Sequence, residues 1–195
     1  MLHFMPGGWK VEPAVGTMPE KVASAFAEKV GKLVGVVYTP LIYCGSQVVN
    51  GTNHMILCMG ETRADQPAKF ISKIVLNEDL EGGTFNLQLI EQITPNAVEG
   101  VNGSWVFTPS AEDLPEQAKK ALTKVFNDLD GGKYEMLLYC GSQTVSGTNY
   151  MFICKGTSIP DPASETEQPP VSFIVKLVIL TTSDDKISMT IERII

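Results

Sequence analysis

The sequence predicts an α+β protein built from two tandem copies of one domain, residues 1–96 and 97–195, each a single helix packed across an antiparallel β-sheet. Three observations predict it. The run YCGSQVVNGTNHMILCMG, from Tyr43, returns as YCGSQTVSGTNYMFICKG, from Tyr139, an offset of 96 residues. Each copy holds one apolar stripe at helical spacing. After each stripe come strand-like runs joined by short turns, which favour antiparallel neighbours. A repeat of this length is a duplicated domain rather than a solenoid unit.

Upstream of the hairpin the offset holds without a gap: Gly7 maps to Gly103, Trp9 to Trp105, Pro13 to Pro109 and Pro19-Glu20 to Pro115-Glu116. The two tryptophans are expected to pack at each domain's first strand. Pro19 and Pro115 open the helices, since proline suits a first turn. Val22, Phe26, Val30 and Leu33 form one stripe; Ala118, Leu122, Val125, Phe126 and Leu129 form the other. Gly35 and Gly131 close them. The strands expected next are VVYTPLIYC, NHMILCM, KFISKIVL and TFNLQLIEQI, and a turn-rich linker, TPNAVEGVNG, starts at Thr94. FISKIVL from Phe70 answers to FIVKLVI from Phe173, so the second copy carries an insertion, placed in the proline-rich SIPDPASETEQPP.

Composition narrows the function. The chain is 44% hydrophobic and 19% charged, with a net charge of −7. An acidic surface repels phosphate backbones, so no nucleic-acid partner is expected. The most apolar run, VSFIVKLVIL, is short and carries Lys176, so it suits a buried strand and not a bilayer span. MLHFMPGGWK has no basic region followed by an apolar core; no signal peptide is expected, which leans towards the cytoplasm.

The cysteines are Cys44, Cys58, Cys140 and Cys154, and the histidines His3 and His54. That spacing is not a zinc pattern, and neither a metal nor another cofactor is expected. A thiol nucleophile lacks a base in the second copy, and no carboxylate pair or phosphate loop recurs in both copies, so an enzyme is not expected. Strand alternation makes Cys44 and Cys58 neighbours on adjacent strands, and likewise Cys140 and Cys154, either as buried thiols or as cross-strand disulfides. Asn50 and Asn102 begin N-x-S/T sequons, read as incidental because a sugar on Asn50 would cover the hairpin tip.

The turn Gln-x-Val-x-Gly at Gln47–Gly51 and again at Gln143–Gly147, a helix opening at MPEK, and the Gly-Gly of MPGGW together resemble the cystatins, most nearly their stefin branch. The resemblance covers nearly all of the first copy. It implies a reversible inhibitor of papain-like cysteine proteases that fills the active-site cleft with an N-terminal trunk and two hairpin loops. On that likeness Gly7 and Gly8 would let the trunk lie against the cleft wall. Gln47, Val48, Val49, Asn50 and Gly51 would form the first loop. Gln143, Thr144, Val145, Ser146 and Gly147 would form its second-copy equivalent, which has NGSW in place of PGGW. Where the family carries an apolar second-loop contact, this sequence has NEDLEGG in one copy and TTSDDK in the other, with no evident apolar anchor. The expectation is inhibition mainly through the first copy. The alternatives are a non-inhibitory tandem binding module, and a latexin-like inhibitor of a metallocarboxypeptidase. The latexins lack the Gln-x-Val-x-Gly turn.

Overall fold

The structure, a computed structural model, describes residues 7–159 and 169–195. The chain divides into two compact units, Met1–Ser104 and Trp105–Ile195. In the first, β1 (Trp9–Val15), β2 (Val36–Val49), β3 (Gly51–Thr62), β4 (Ala68–Glu78) and β5 (Phe85–Gln92) lie side by side in chain order, and a short β6 (Ala97–Val98) pairs with β4. Every pairing is antiparallel. The helix α1 (Glu20–Lys29) joins β1 to β2. Its buried Val22, Ala25 and Phe26 share a core with Tyr43, Ile56, Cys58, Ile74 and Leu76 from the strands.

The second unit repeats the plan. Strands β7 (Trp105–Ser110), β8 (Gly132–Thr144), β9 (Thr148–Ser158), β10 (Ser172–Thr181) and β11 (Ile187–Arg193) again lie in chain order, and α2 (Glu116–Asp128) joins β7 to β8. Ala118, Ala121, Leu122 and Val125 pack with Tyr139, Tyr150, Phe152, Cys154, Val175, Leu177 and Ile179. Trp105 is buried and stacks on Phe107 at 6.0 Å between ring centroids.

The α+β expectation is corrected. Strand makes up 55% of the structure and helix 13%, so the protein is mainly antiparallel β. The reason is local. Each helical stripe is short, while β2, β3 and β4 run 14, 12 and 11 residues. The expected helix ends also move. Pro19 is the N-cap, with an extended ψ of 138°, and stands just outside the first turn. Gly35 and Gly131 fall beyond the helices, in the connections to β2 and β8, with φ of +91° and +81°. The stretch from Thr94 is more than a linker. The Thr94 hydroxyl accepts a hydrogen bond from the Ile71 amide at 2.8 Å, and Ala97 and Val98 pair with Lys69 and Ala68. These contacts tie residues past 96 to the first unit. The insertion expected in the second copy lies largely outside the described residues.

Each cysteine pair lies on adjacent strands as expected, Cys44 on β2 with Cys58 on β3 and Cys140 on β8 with Cys154 on β9, while the detailed register differs from simple alternation. β2 is bulged between Pro40 and Ile42 and again between Tyr43 and Gly45, so Cys58 pairs with Pro40 where the register of the hairpin tip carried on unbroken would give Ile42, and Cys58 but not Cys44 belongs to the core cluster under α1. Cys154 pairs with Met136 for the same reason. All four thiols are free and buried. Burial pushes Cys44 and Cys154 up to about 12 and raises Cys58 and Cys140 as well.

Candidate binding edge of the first unit

The expected site residues of the first copy meet at one end of the sheet. Register sets them in a row across the strands: Trp9 opposite Gln47, Gln47 opposite Asn53, Asn53 opposite Asn77. Their side chains form a hydrogen-bonded rung. Gln47 Nε2 donates to the Gly7 carbonyl at 2.7 Å, Asn53 Nδ2 donates to Gln47 Oε1 at 3.0 Å, and Asn77 Nδ2 donates to Asn53 Oδ1 at 2.9 Å. Both ends of the Gln47 amide are thus used inside the unit, and the trunk is tied to the hairpin. Gly7 and Gly8 are exposed, Gly7 with φ of +88°.

Beyond the rung, β2 and β3 stay paired up to Val49 opposite Gly51, with Asn50 exposed at the tip. Val48 is 53% and Val49 42% exposed. Gly51 is buried with φ of +98°, and a Cβ there would fall 2.1 Å from the Glu78 carbonyl oxygen. Glycine is required on both counts, conformation and close approach. That approach seats the tip against the start of the β4–β5 turn. The turn is closed by Asp79 N to Thr84 O at 2.9 Å and Gly83 N to Asp79 Oδ1 at 3.0 Å. The Gly83 amide, ahead of the cost of desolvation, holds the Asp79 carboxyl below its usual range.

Two residues of NEDLEGG differ from expectation. Leu80 is 76% exposed at the turn, an apolar side chain where the sequence reading saw none. Glu78 is not a loop acid. It is 3% exposed, and its Oε2 accepts from His54 Nε2 at 3.2 Å. Both carboxylate oxygens also take Lys21 Nζ of α1 at 2.7 Å. On the other side of the ring, Tyr43 Oη lies 3.0 Å from His54 Nδ1. A carboxylate can only accept, so Nε2 carries the proton and Tyr43 donates to Nδ1 of the neutral ring. Burial lowers His54 from its ordinary value against the opposing pull of Glu78. Burial pushes Glu78 up, and the Lys21 ammonium and His54 outweigh it, leaving the carboxyl below its usual range.

The order hydroxyl, imidazole, carboxylate has the layout of a nucleophile with its base. Here it is core. Tyr43 is 8% and His54 5% exposed, and burial raises the phenol further from ionisation. The chain fastens the helix to the end of β4 that meets Gly51. A signal for it does exist in the sequence: His54 alternates with Ile56 and Cys58, and Glu78 with Leu76 and Ile74, so both polar residues fall on core positions.

The second copy keeps part of this. Trp105 faces Gln143, and Asn149 Nδ2 donates to Gln143 Oε1 at 2.8 Å. Pairing stops earlier, at Thr144 opposite Thr148, and Val145 N to Gly147 O at 2.9 Å closes a wider turn with Ser146 exposed at its tip. A Cβ on Gly147 would fall 2.3 Å from the Thr181 carbonyl oxygen. The polar chain is gone. The positions of Lys21, His54 and Glu78 hold Gln117, Tyr150 and Thr181.

Among the described residues no three of His, Cys, Asp and Glu gather as a metal-ligand set, and no helix is long and apolar enough to cross a membrane. A scan against protein-family models and a search of curated proteins both find no match to the chain.

Proposed function

We propose that this chain is a reversible inhibitor of papain-like cysteine proteases, as its resemblance to the cystatins suggests, and that the first unit does most of the binding. One observation carries the reading: trunk, hairpin tip and β4–β5 turn are fastened together at one end, through Gln47 to Gly7 and Gly51 to Glu78, with Val48, Val49 and Leu80 exposed there. Such an edge enters a cleft without first being ordered, so little conformational freedom is lost on binding. Burying the exposed parts of the three side chains contributes on the order of 1 kcal/mol each. A tip paired up to Val49 and Gly51 cannot straighten into the extended strand that a protease cleaves.

The second unit is the weaker candidate. Thr144 stands in place of Val48, and Gly103, in the position of Gly7, continues from the first unit. A competing reading is a tandem binding module that does not inhibit. It is favoured by the Gln47 amide, whose internal hydrogen bonds give the motif a structural use in its own right. Titration of papain with the whole protein separates the two. Stoichiometric loss of activity that is restored on dilution supports inhibition; full activity at micromolar protein rejects it.

A further inference from the structure

Where the first unit has its Lys21–Glu78 pair, the second has a hollow. Replacing Lys21 by Gln117 and Glu78 by Thr181 removes the tie between helix and sheet end, and a cavity of about 560 Å³ opens between α2, the start of β9 and the β10–β11 turn. The size is in the range of small-molecule sites, roughly 300–1,000 Å³.

Its walls have a definite chemistry. Lys120 and Lys124 stand one helical turn apart on α2 and both line the cavity. Among the described residues neither has an ion-pair partner. Asp185 is the acid on the opposite wall, so the lining carries two cations to one anion. The Tyr150 hydroxyl, at the His54 position, makes no hydrogen bond among the described residues, and Ser183 adds a second hydroxyl. Ala121, Ile187 and the Tyr150 ring supply apolar surface.

We propose that this cavity is a binding site for a small organic carboxylate with an apolar body. The carboxylate lies between Lys120 and Lys124 within reach of the hydroxyl donors, and the apolar part rests on Ile187 and the Tyr150 ring. A charge-assisted contact to two ammonium groups is strong for its size, and the apolar floor distinguishes this ligand from an inorganic anion. Nothing in the proposal depends on protease inhibition.

The test uses the full-length, ¹⁵N-labelled protein with benzoate as probe, and benzamidine and inorganic phosphate as controls. Benzoate is expected to give saturable amide shifts in the millimolar range at Thr148, Tyr150, Ser183 and Ile187, larger than any caused by benzamidine or phosphate. Lys120→Glu with Lys124→Glu, both exposed positions, is expected to weaken benzoate about tenfold or more. Gln117→Lys with Thr181→Glu, which restores the ion pair of the first unit, is expected to abolish the shifts. The proposal is overturned if benzoate causes no saturable shift, if benzamidine or phosphate binds as well, or if benzoate binding survives either double variant in a folded protein.

Discussion

Glu78 holds two neighbours at once: its carboxylate lies 3.2 Å from His54 Nε2, and its carbonyl oxygen stands where a Cβ on Gly51 would fall. One residue therefore joins the buried polar chain to the exposed hairpin tip. Anything that loosens Glu78 inside loosens the candidate binding edge outside.

Acid should expose this coupling. Burial holds the folded His54 below its ordinary value, so the unfolded chain takes up the proton first. Stability is therefore full above about pH 6.5 and falls as pH drops from there towards the lowered folded value. The Glu78 carboxyl is also depressed, so its contribution is present above the ordinary carboxylate value and is lost as pH falls through its folded value. Melting temperatures between about pH 7.5 and pH 5 should decline for the wild type and decline less for His54→Gln, which does not titrate. Equal slopes would show that His54 is not the titrating group.

Gly51→Ala should be costly. It adds a side chain at φ of +98° and 2.1 Å from a backbone oxygen that cannot rotate away. Strain and displacement together should cost about 3 kcal/mol, seen in chemical denaturation as an earlier midpoint. A loss below about 0.5 kcal/mol would mean that the β4–β5 turn moves freely.

The exposed tip should govern binding and not folding. Val48→Asp and Leu80→Asp each remove apolar contact and place a charge at the cleft, so each should weaken papain inhibition tenfold or more, by about 1.4 kcal/mol. Both side chains are exposed, so the melting temperature should hardly move. Leu80→Asp without effect on inhibition would take the second turn out of the interface.

Gln47→Glu tests the tether. A carboxylate cannot donate to the Gly7 carbonyl, yet it still accepts from Asn53. Loss of one hydrogen bond should free the trunk at a cost of about 1 kcal/mol, read as a several-fold faster dissociation from papain. Gly8→Glu should weaken binding as well, by crowding the trunk against the cleft. Unchanged dissociation in both variants would show that the trunk makes no contact.

The thiols should be silent. With all four cysteines buried and none oxidised, a thiol reagent should count four groups in denaturant and essentially none in the native protein on the same timescale. Fast labelling of the native chain would show that the core around Cys44 or Cys140 opens readily.

The sequence by itself determined the duplication, the place of both helices and the central strands, because each rests on spacing along the chain: an offset of 96, a 3.6-residue stripe, a period of two. The Gly7, Gln47 and Gly51 motif positions were readable in the same way. What the tertiary structure decided was every relation that crosses strands. Two bulges in β2 moved the partner of Cys58 from Ile42, where the hairpin tip's register would put it, to Pro40, and a bulge leaves little trace in alternation that is half apolar on both sides. Pairing of Ala97 and Val98 with β4 placed residues after 96 in the first unit, although their composition is that of a turn. Glu78, three residues before an exposed Glu81, is buried because Lys21, 57 residues away, pairs with its charge and His54, 24 residues away, donates a hydrogen bond to it. Charge burial depends on partners brought together by folding, and a linear pattern holds the positions of those partners without their meeting.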